Sequence, residues 1–556
     1  MKQIIILFLV LVTAFSCKVN TEKETTVDSP AIVWEAQDET AELEAQAQHE
    51  NERMRFKLIN SKTLDKNEIW RPFEKDLASF SAEKYEGLKQ LIFERSIPEL
   101  QRAVKEGQLT YEDLTLFYIY RIREYESNND LSLNAVIALN PEVVEQARKL
   151  DEQGAAGVDE NSVHGMPILL KDNINTSDMK TTAGAIALAE NQPSKNAFIV
   201  DRLQQNNALI LGKVNLSEWA YYFCEGCPLG YSAVGGQTLN PYGRKEFETG
   251  GSSSGSGVAV AANYAVAAIG TETAGSILSP ASKNAVVGLK PTVGLLSRTG
   301  IIPISGTLDT PGPMTKYVMD NAILLNALTG KDAEDRSSVA SDKNYVKSLS
   351  AQGLKGKRIG VMKSLMTDSL YNRAVEKMKE GGAVIIEFEA ENIPLDNFLT
   401  LLNADMKKDL PAYFSQYAGE EVTYKNVEAI VKYNLKDTLL RAPYGQQLFE
   451  GIVADTTSAE ALERISAQLQ ANGRKFFDVP MQQHNLDAVA SINNYHAAYA
   501  AVAKYPALAV PAGFETSGEP KSITFIAKPY EEDKLLNLGY AFEQQSYARK
   551  PPKNYR

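Results

Sequence analysis

Four serine hydroxyls stand within the eight residues GGSSSGSG, Gly250 to Gly257. A serine hydroxyl is a nucleophile only when a neighbour takes its proton, so the loop is weighed against the chemistries that use loops of this kind. A phosphate cradle needs GxxxxGK[ST], which is absent; Gly212 and Lys213 are followed by Val214. A linker separates domains, whereas this stretch runs into VAVAANYAVAAIG, which is apolar and must be buried. Gly251, Ser253 and Gly255 formally satisfy G-x-S-x-G, but that elbow needs a buried strand before it, and the preceding RKEFET is polar. SDMK, at 177–180, matches S-x-x-K without the companion motifs of that class. The loop therefore reads as one part of a site whose other parts lie elsewhere in the chain.

Chain geometry points to one of those parts. A helix from Ser253 to Asn263 travels outward about 16 Å at 1.5 Å per residue. A strand from Ala265 to Gly270 returns about 20 Å at 3.3 Å per residue. The turn TETAGS, at 271–276, then lies beside Ser252. Backbone N–H groups of Thr273, Ala274, Gly275 and Ser276 can face one point there, as a developing oxyanion requires. A base is also needed, and the only histidines are His49, His164, His484 and His496. HGMPILLKDNI offers Lys171 at the end of an apolar run. A lysine acts as a base only if burial lowers its pKa, by up to about 3–5 units. From spacing alone two readings stand for Lys171, a buried base and the partner of an acid in a surface salt bridge.

The elements that must hold these residues follow from composition and periodicity. From Glu35 to about Gln153 apolar residues recur at spacings of three and four, as in Leu109, Leu114, Phe117, Ile119 and Ile122, which predicts helices. Between His164 and Pro313 small residues dominate, and the short runs MPILL, NALILG and AVAAIG suit buried strands. A second helical tract runs from about Asp396 to Gly473, followed by the strand-like DAVAS, YPALAVPAGF and SITFIA. Strands alternating with helices predict an α/β body.

Composition narrows the function classes. Apolar residues are 44% and charged residues 23%, as in ordinary globular proteins. A net charge of −12 without a basic stripe argues against a nucleic-acid partner. Cys224 and Cys227, in CEGC, are too few for a zinc site, no histidine spacing supplies the rest, and no metal is expected; a disulfide and two packed thiols both remain open. At the N-terminus Lys2, the apolar run Ile4 to Val12 and the sequence TAFSC read as a lipoprotein-type signal peptide over residues 1–17, with lipidation at Cys17. The polar stretch 18–34 reads as a tether. The chain is thus expected to be exported and lipid-anchored to a bacterial cell envelope.

GGSSSGSGVAVAANYAVAAIGTETAGSI and VVGLKPTVGLLSRTGIIPISGTLDTPGPM together resemble the signature of the amidase signature family, and HGMPILLKDNI resembles its lysine motif. The resemblance runs from about Ser96 through NLSEWA to YPALAVPAGF and KLLNLGYAFEQ. It implies an α/β/α fold with a central mixed twisted sheet. It also implies a Ser-Ser-Lys triad, with Ser276 as nucleophile, Ser252 as bridging serine and Lys171 as base. The oxyanion hole falls at Thr273, Ala274, Gly275 and Ser276, and no cofactor is needed. On this basis residues 35–95 are a helical N-terminal extension and 96–556 the amidase domain, with a helical insertion at about 396–473.

The chain departs from the family's TDTGGSIR in reading TETAGSIL. Glu272 replaces Asp, Ala274 replaces Gly, and Leu278 replaces the Arg that would pair with the acid. The tracts NPYG, DLPAYF and PYGQQLFEG are similar to the bacterial peptide amidase branch, which implies cleavage of C-terminal peptide amides or related primary amides. Acylamidase action on fatty-acyl or aryl amides is the alternative. A glutaminase-type amidotransferase subunit shares the triad, but the signal-like N-terminus and acidic charge oppose it. The helical insertion is expected to wall the substrate channel with Tyr413, Phe414, Tyr444 and Phe449, which suit an uncharged chain.

Overall fold

The computed structural model describes residues 32–556. The segment 1–17 with Cys17, and the tether up to residue 31, lie outside the described residues. Among the described residues thirteen strands occur in chain order: β1 Val136–Leu139, β2 Pro167–Lys171, β3 Leu209–Val214, β4 Tyr231–Ser232, β5 Gly236–Gln237, β6 Ala267–Glu272, β7 Val287–Lys290, β8 Thr310–Thr315, β9 Arg358–Met362, β10 Val384–Phe388, β11 Ala488–Ile492, β12 Ala507–Phe514 and β13 Pro520–Ile526. Eleven of them form one sheet in the order β1-β3-β2-β6-β8-β7-β12-β13-β11-β9-β10, and β4 and β5 make a separate hairpin. The sheet is mixed, as the family resemblance implies. β2 is parallel to both β3 and β6, whereas β8 runs antiparallel to β6.

This pairing makes the strand ends converge. β2, β3 and β6 finish at the same edge, so the loops after Lys171, Val214 and Glu272 meet there, where parallel α/β sheets bind ligands. The antiparallel register sets Glu272 opposite Thr310, which brings Asp309 to the same edge from the start of β8. β2 and β6 are buried along their whole length, which explains continuous apolar runs in place of alternation.

The helix following the serine loop is Ser254–Ala261, shorter at both ends than expected, and β6 begins two residues later than expected. The outward and return paths still close, because Ser253 N–H donates to the Ser276 carbonyl at 3.1 Å. All eight helix residues are buried against the sheet. Gly255 allows this approach: a Cβ there would lie 2.5 Å from the Asn215 carbonyl oxygen and 2.7 Å from that of Ala135.

Two expectations about the elements are corrected. The tract 35–153 is not helical throughout, since β1 lies within it and pairs with β3 at the sheet edge. Four residues between two longer helices are too few for strand alternation to show. The second helical tract does not stop at Gly473 but continues through Ala459–His484, whose interior includes Pro480. Residues of the 35–95 segment, including Trp70, Phe73, Phe80 and Ile92, belong to the main hydrophobic core. The insertion builds a second core with residues 183–227 and 302–308.

Candidate active site

Each serine of the loop has its own partner. Ser252 Oγ lies 2.7 Å from Lys171 Nζ. Ser253 Oγ donates to the Thr271 carbonyl at 3.0 Å and accepts from Thr271 N–H, tying the loop to β6. Ser254 Oγ bonds to the Gly250 carbonyl and Ser256 Oγ to that of Ile269. Ser253, the serine of the formal G-x-S-x-G match, is therefore a buried tether. The peptide between Gly251 and Ser252 is cis.

Lys171 ends β2 and is fully buried. Its Nζ meets Ser252 Oγ, the Thr271 carbonyl at 3.1 Å and Thr271 Oγ1 at 2.8 Å, all in the protein interior. No carboxylate forms an ion pair with it among the described residues, which removes the surface salt-bridge reading. Burial lowers its pKa to about 7, against the opposing pull of the more distant Asp309 and Glu272. The next residue, Asp172, does pair, with buried Lys213 at 3.7 Å, and accepts from Thr182 N–H. Asp172 thus shapes the loop after β2.

The second turn carries Ser276, which is half-buried while Ser252 is fully buried. No backbone carbonyl among the described residues accepts from the N–H groups of Thr273, Ala274, Gly275 or Ser276, so four consecutive donors are left for another acceptor. Gly275 takes a φ of +97°, a conformation that favours glycine. Glu272 does without the family's Arg: its Oε2 accepts from the Ile277 and Leu278 N–H groups at 2.7 and 3.0 Å. The acid thereby holds the first turn of Leu278–Lys283 through Oε2, while its Oε1 is buried with no hydrogen-bond partner among the described residues.

Other residues at this edge had no marked role in the sequence. Asn173 Nδ2 donates to Thr271 Oγ1 at 3.0 Å. Thr273 Oγ1 donates to Asp309 at 2.5 Å, and Asp309 also accepts from the Ile304 and Ser305 N–H groups. Burial pushes the Asp309 carboxyl up to about 6. Trp219, Ala220 and Tyr221 are consecutive left-handed residues, with φ of 53°, 55° and 75°. Non-glycine residues held this way cost about 1–3 kcal/mol each and gather at functional sites. Asp309 lies 36 residues beyond Thr273, so no local spacing could have joined them.

A cleft of about 440 Å³ adjoins this edge, with Arg298, Ile301 and Asp309 in its lining. Its lining also includes Asp405, Asp409 and Tyr413 from the helix Phe398–Gln416. Five carboxylates line it against three cations. The expected aromatic wall is corrected in part. Phe414 and Phe449 are core residues, the latter packed on Trp219 and Phe223. Tyr444 faces a separate small cavity beside the Cys224–Cys227 bridge, since the two cysteines are joined as a disulfide. These rings are apolar enough to fill the insertion's own core, which composition could not distinguish from a channel wall. Among the described residues no group of His, Cys, Asp and Glu could hold a metal ion, and no helix is long and apolar enough to cross a membrane.

Comparison with known proteins extends these observations. The family model described as Amidase matches residues 113–536. A probable amidase of Arabidopsis thaliana is 34% identical over 483 residues, covering 83% of this chain and 92% of its own. The crystal structure of an amidase family protein from Bacillus anthracis superposes with a TM-score of 0.84 at 38% identity, covering 89% of this chain and 100% of that one. The peptide amidase from Stenotrophomonas maltophilia gives 0.78 at 37% identity, over 83% and 98%. The sequence likeness and the fold are thus shared along most of the chain with proteins described as amidases. The chain belongs to the amidase signature family and is an enzyme that hydrolyses amides.

Proposed function

We propose that Ser276 is the nucleophile, Ser252 the bridging serine and Lys171 the base of a peptide amidase or related primary-amide hydrolase. The observation that carries the reading is Lys171 Nζ, fully buried and 2.7 Å from Ser252 Oγ. Neutral Lys171 draws a proton from Ser252, which draws one from Ser276, and the Ser276 oxygen attacks the amide carbonyl. The oxyanion is received by N–H groups of residues 273–276, whose backbone partners are missing. The C–N bond then breaks as the relay returns the proton to nitrogen, and ammonia leaves. Water enters, gives its proton to the same relay and cleaves the acyl-serine ester, restoring Ser276. The sequence of steps balances without an added cofactor.

Two observations support a C-terminal amide as substrate. The likeness to the Stenotrophomonas peptide amidase spans 83% of this chain. The excess of carboxylates in the cleft repels a free C-terminal carboxylate and tolerates a neutral amide. The test is ammonia release by purified protein from a C-terminally amidated dipeptide, beside a fatty-acyl amide and an anilide. Highest kcat/KM on the dipeptide amide is expected; a preference of about a hundredfold for the fatty-acyl amide, about 2.7 kcal/mol, replaces the peptide amidase with an acylamidase. For the N-terminus we propose lipidation at Cys17 after export, from the apolar run and small residues that precede it. Loss of fatty-acid labelling in Cys17→Ser checks this, and equal labelling of both proteins rejects it.

A further inference from the structure

Asn173 is 3% exposed, and its side chain has one satisfied end. Nδ2 donates to Thr271 Oγ1 at 3.0 Å and faces the Ile302 carbonyl at 3.5 Å. A backbone carbonyl can only accept, so the amide nitrogen belongs on that side and the oxygen on the other. Oδ1 is buried and has no donor among the described residues. Such an orphan acceptor calls for an occupant that the protein does not itself supply.

Asn173 lines a small cavity together with Thr271, Thr273, Ala220, Ile302 and Asp309. Its free volume is about 10 Å³, the room of a single water-sized group. Arg298, Ile301 and Asp309 border both this cavity and the larger cleft, so the two adjoin. Thr271 Oγ1, which holds Asn173, also contacts Lys171 Nζ at 2.8 Å. The Asn173 side chain is thereby anchored through its nitrogen to a hydroxyl that also meets Lys171, which fixes the direction of its free oxygen.

We infer that Asn173 Oδ1 and this cavity form the leaving-group subsite, accepting a hydrogen bond from the unsubstituted NH2 of a primary amide and then from the water that replaces ammonia. The inference rests on the Ser276 reading and adds a basis for selectivity. The two occupants share one chemistry, a small neutral donor. An N-alkyl or aryl substituent exceeds the cavity, and an ester leaving oxygen offers no donor to Asn173.

The test uses one acyl group presented as a primary amide, an N-methyl amide and a methyl ester. Wild-type kcat/KM is expected to favour the primary over the N-methyl amide by about tenfold or more. Asn173→Ala is expected to lower kcat/KM on the primary amide by about tenfold or more while changing the ester by less than about threefold. A merely structural role, or one exerted through Thr271 on Lys171, lowers amide and ester alike, and that result overturns the inference. Equal wild-type turnover of primary and N-methyl amides overturns it too, and needs no variant, so a poorly folding Asn173→Ala leaves the question decidable. Solvent deuterium effects on acyl-enzyme breakdown that differ between wild type and Asn173→Ala identify water as the second occupant; unchanged breakdown confines the subsite to the amide nitrogen and overturns the water half. A wild type that cleaves neither amide nor ester defeats the Ser276 reading itself, whereas active protein with the wrong ratios defeats only the subsite.

Discussion

On the proposed reading, Ser276 and Lys171 divide the chemistry between a half-buried nucleophile and a fully buried proton acceptor. Ser276→Ala and Lys171→Ala are each expected to reduce kcat by about a thousandfold or more with the fold intact, and Ser252→Ala nearly as much, as measured by ammonia release and circular dichroism. Retained wild-type turnover in Ser276→Ala rejects the assignment. The sign of the pH dependence follows from the lysine. Below its folded pKa of about 7 it is protonated and accepts nothing, so kcat/KM falls with acidity, by about tenfold per unit well below that value. The rate is expected to plateau above it. A profile that peaks in acid contradicts a lysine base.

At the scale of elements, the site depends on how closely the helix Ser254–Ala261 and the turn at 273–276 pack on the strand ends. Gly255 is the tightest point, since a methyl group there meets the Asn215 backbone at 2.5 Å from its oxygen and 2.6 Å from its nitrogen. Gly255→Ala is expected to destabilise by about 3 kcal/mol, because backbone on the far side cannot rotate away. Gly87 provides the contrast: it lies exposed in the helix Ala82–Ile92, and an added Cβ touches nothing within 4 Å. Gly87→Ala is expected to stabilise by about 0.5–1 kcal/mol through helix propensity. Urea unfolding of both variants checks the pair, and a Gly255→Ala protein as stable as wild type removes the close-packing argument.

The whole molecule is held across great sequence distances by single buried groups. Arg121, fully buried in the helix Tyr111–Glu126, donates to the Ala262 carbonyl, the Tyr85 hydroxyl and the Tyr555 carbonyl. It therefore joins the N-terminal segment, the end of the helix that follows the serine loop, and the C-terminus. Arg121→Ala removes these bonds and strands three polar groups. A loss of about 3–5 kcal/mol is expected, read as a lower denaturation midpoint by both far-UV and tryptophan signals. Separate transitions by the two signals would show that the three segments fold independently, contrary to their shared core.

The sequence by itself determined the α/β class, the strands β2, β3, β6, β11, β12 and β13, and the candidate residues Lys171, Ser252, Ser276 and 273–276. The strands were legible because buried strands are continuous apolar runs, and Ser276 because the two serine turns are joined by one short helix and one strand whose lengths nearly cancel, whereas the roles of Lys171 and Ser252 came from the family resemblance. β1 was hidden by its brevity between helices. Only the tertiary structure decided the rest. It put Asp309 against Thr273, gave one oxygen of Glu272 backbone N–H groups in place of the missing Arg, bridged Cys224 to Cys227, and buried Phe414 and Phe449 in a second core shared with residues 183–227 and 302–308. Each of those outcomes depends on which surfaces meet when separate segments pack, and an apolar or polar side chain carries no mark in the sequence of the partner it will find. Lys171 is the sharpest case: an exposed lysine is a cation at neutral pH, whereas the burial that three converging strands impose lowers the pKa of this one to about 7.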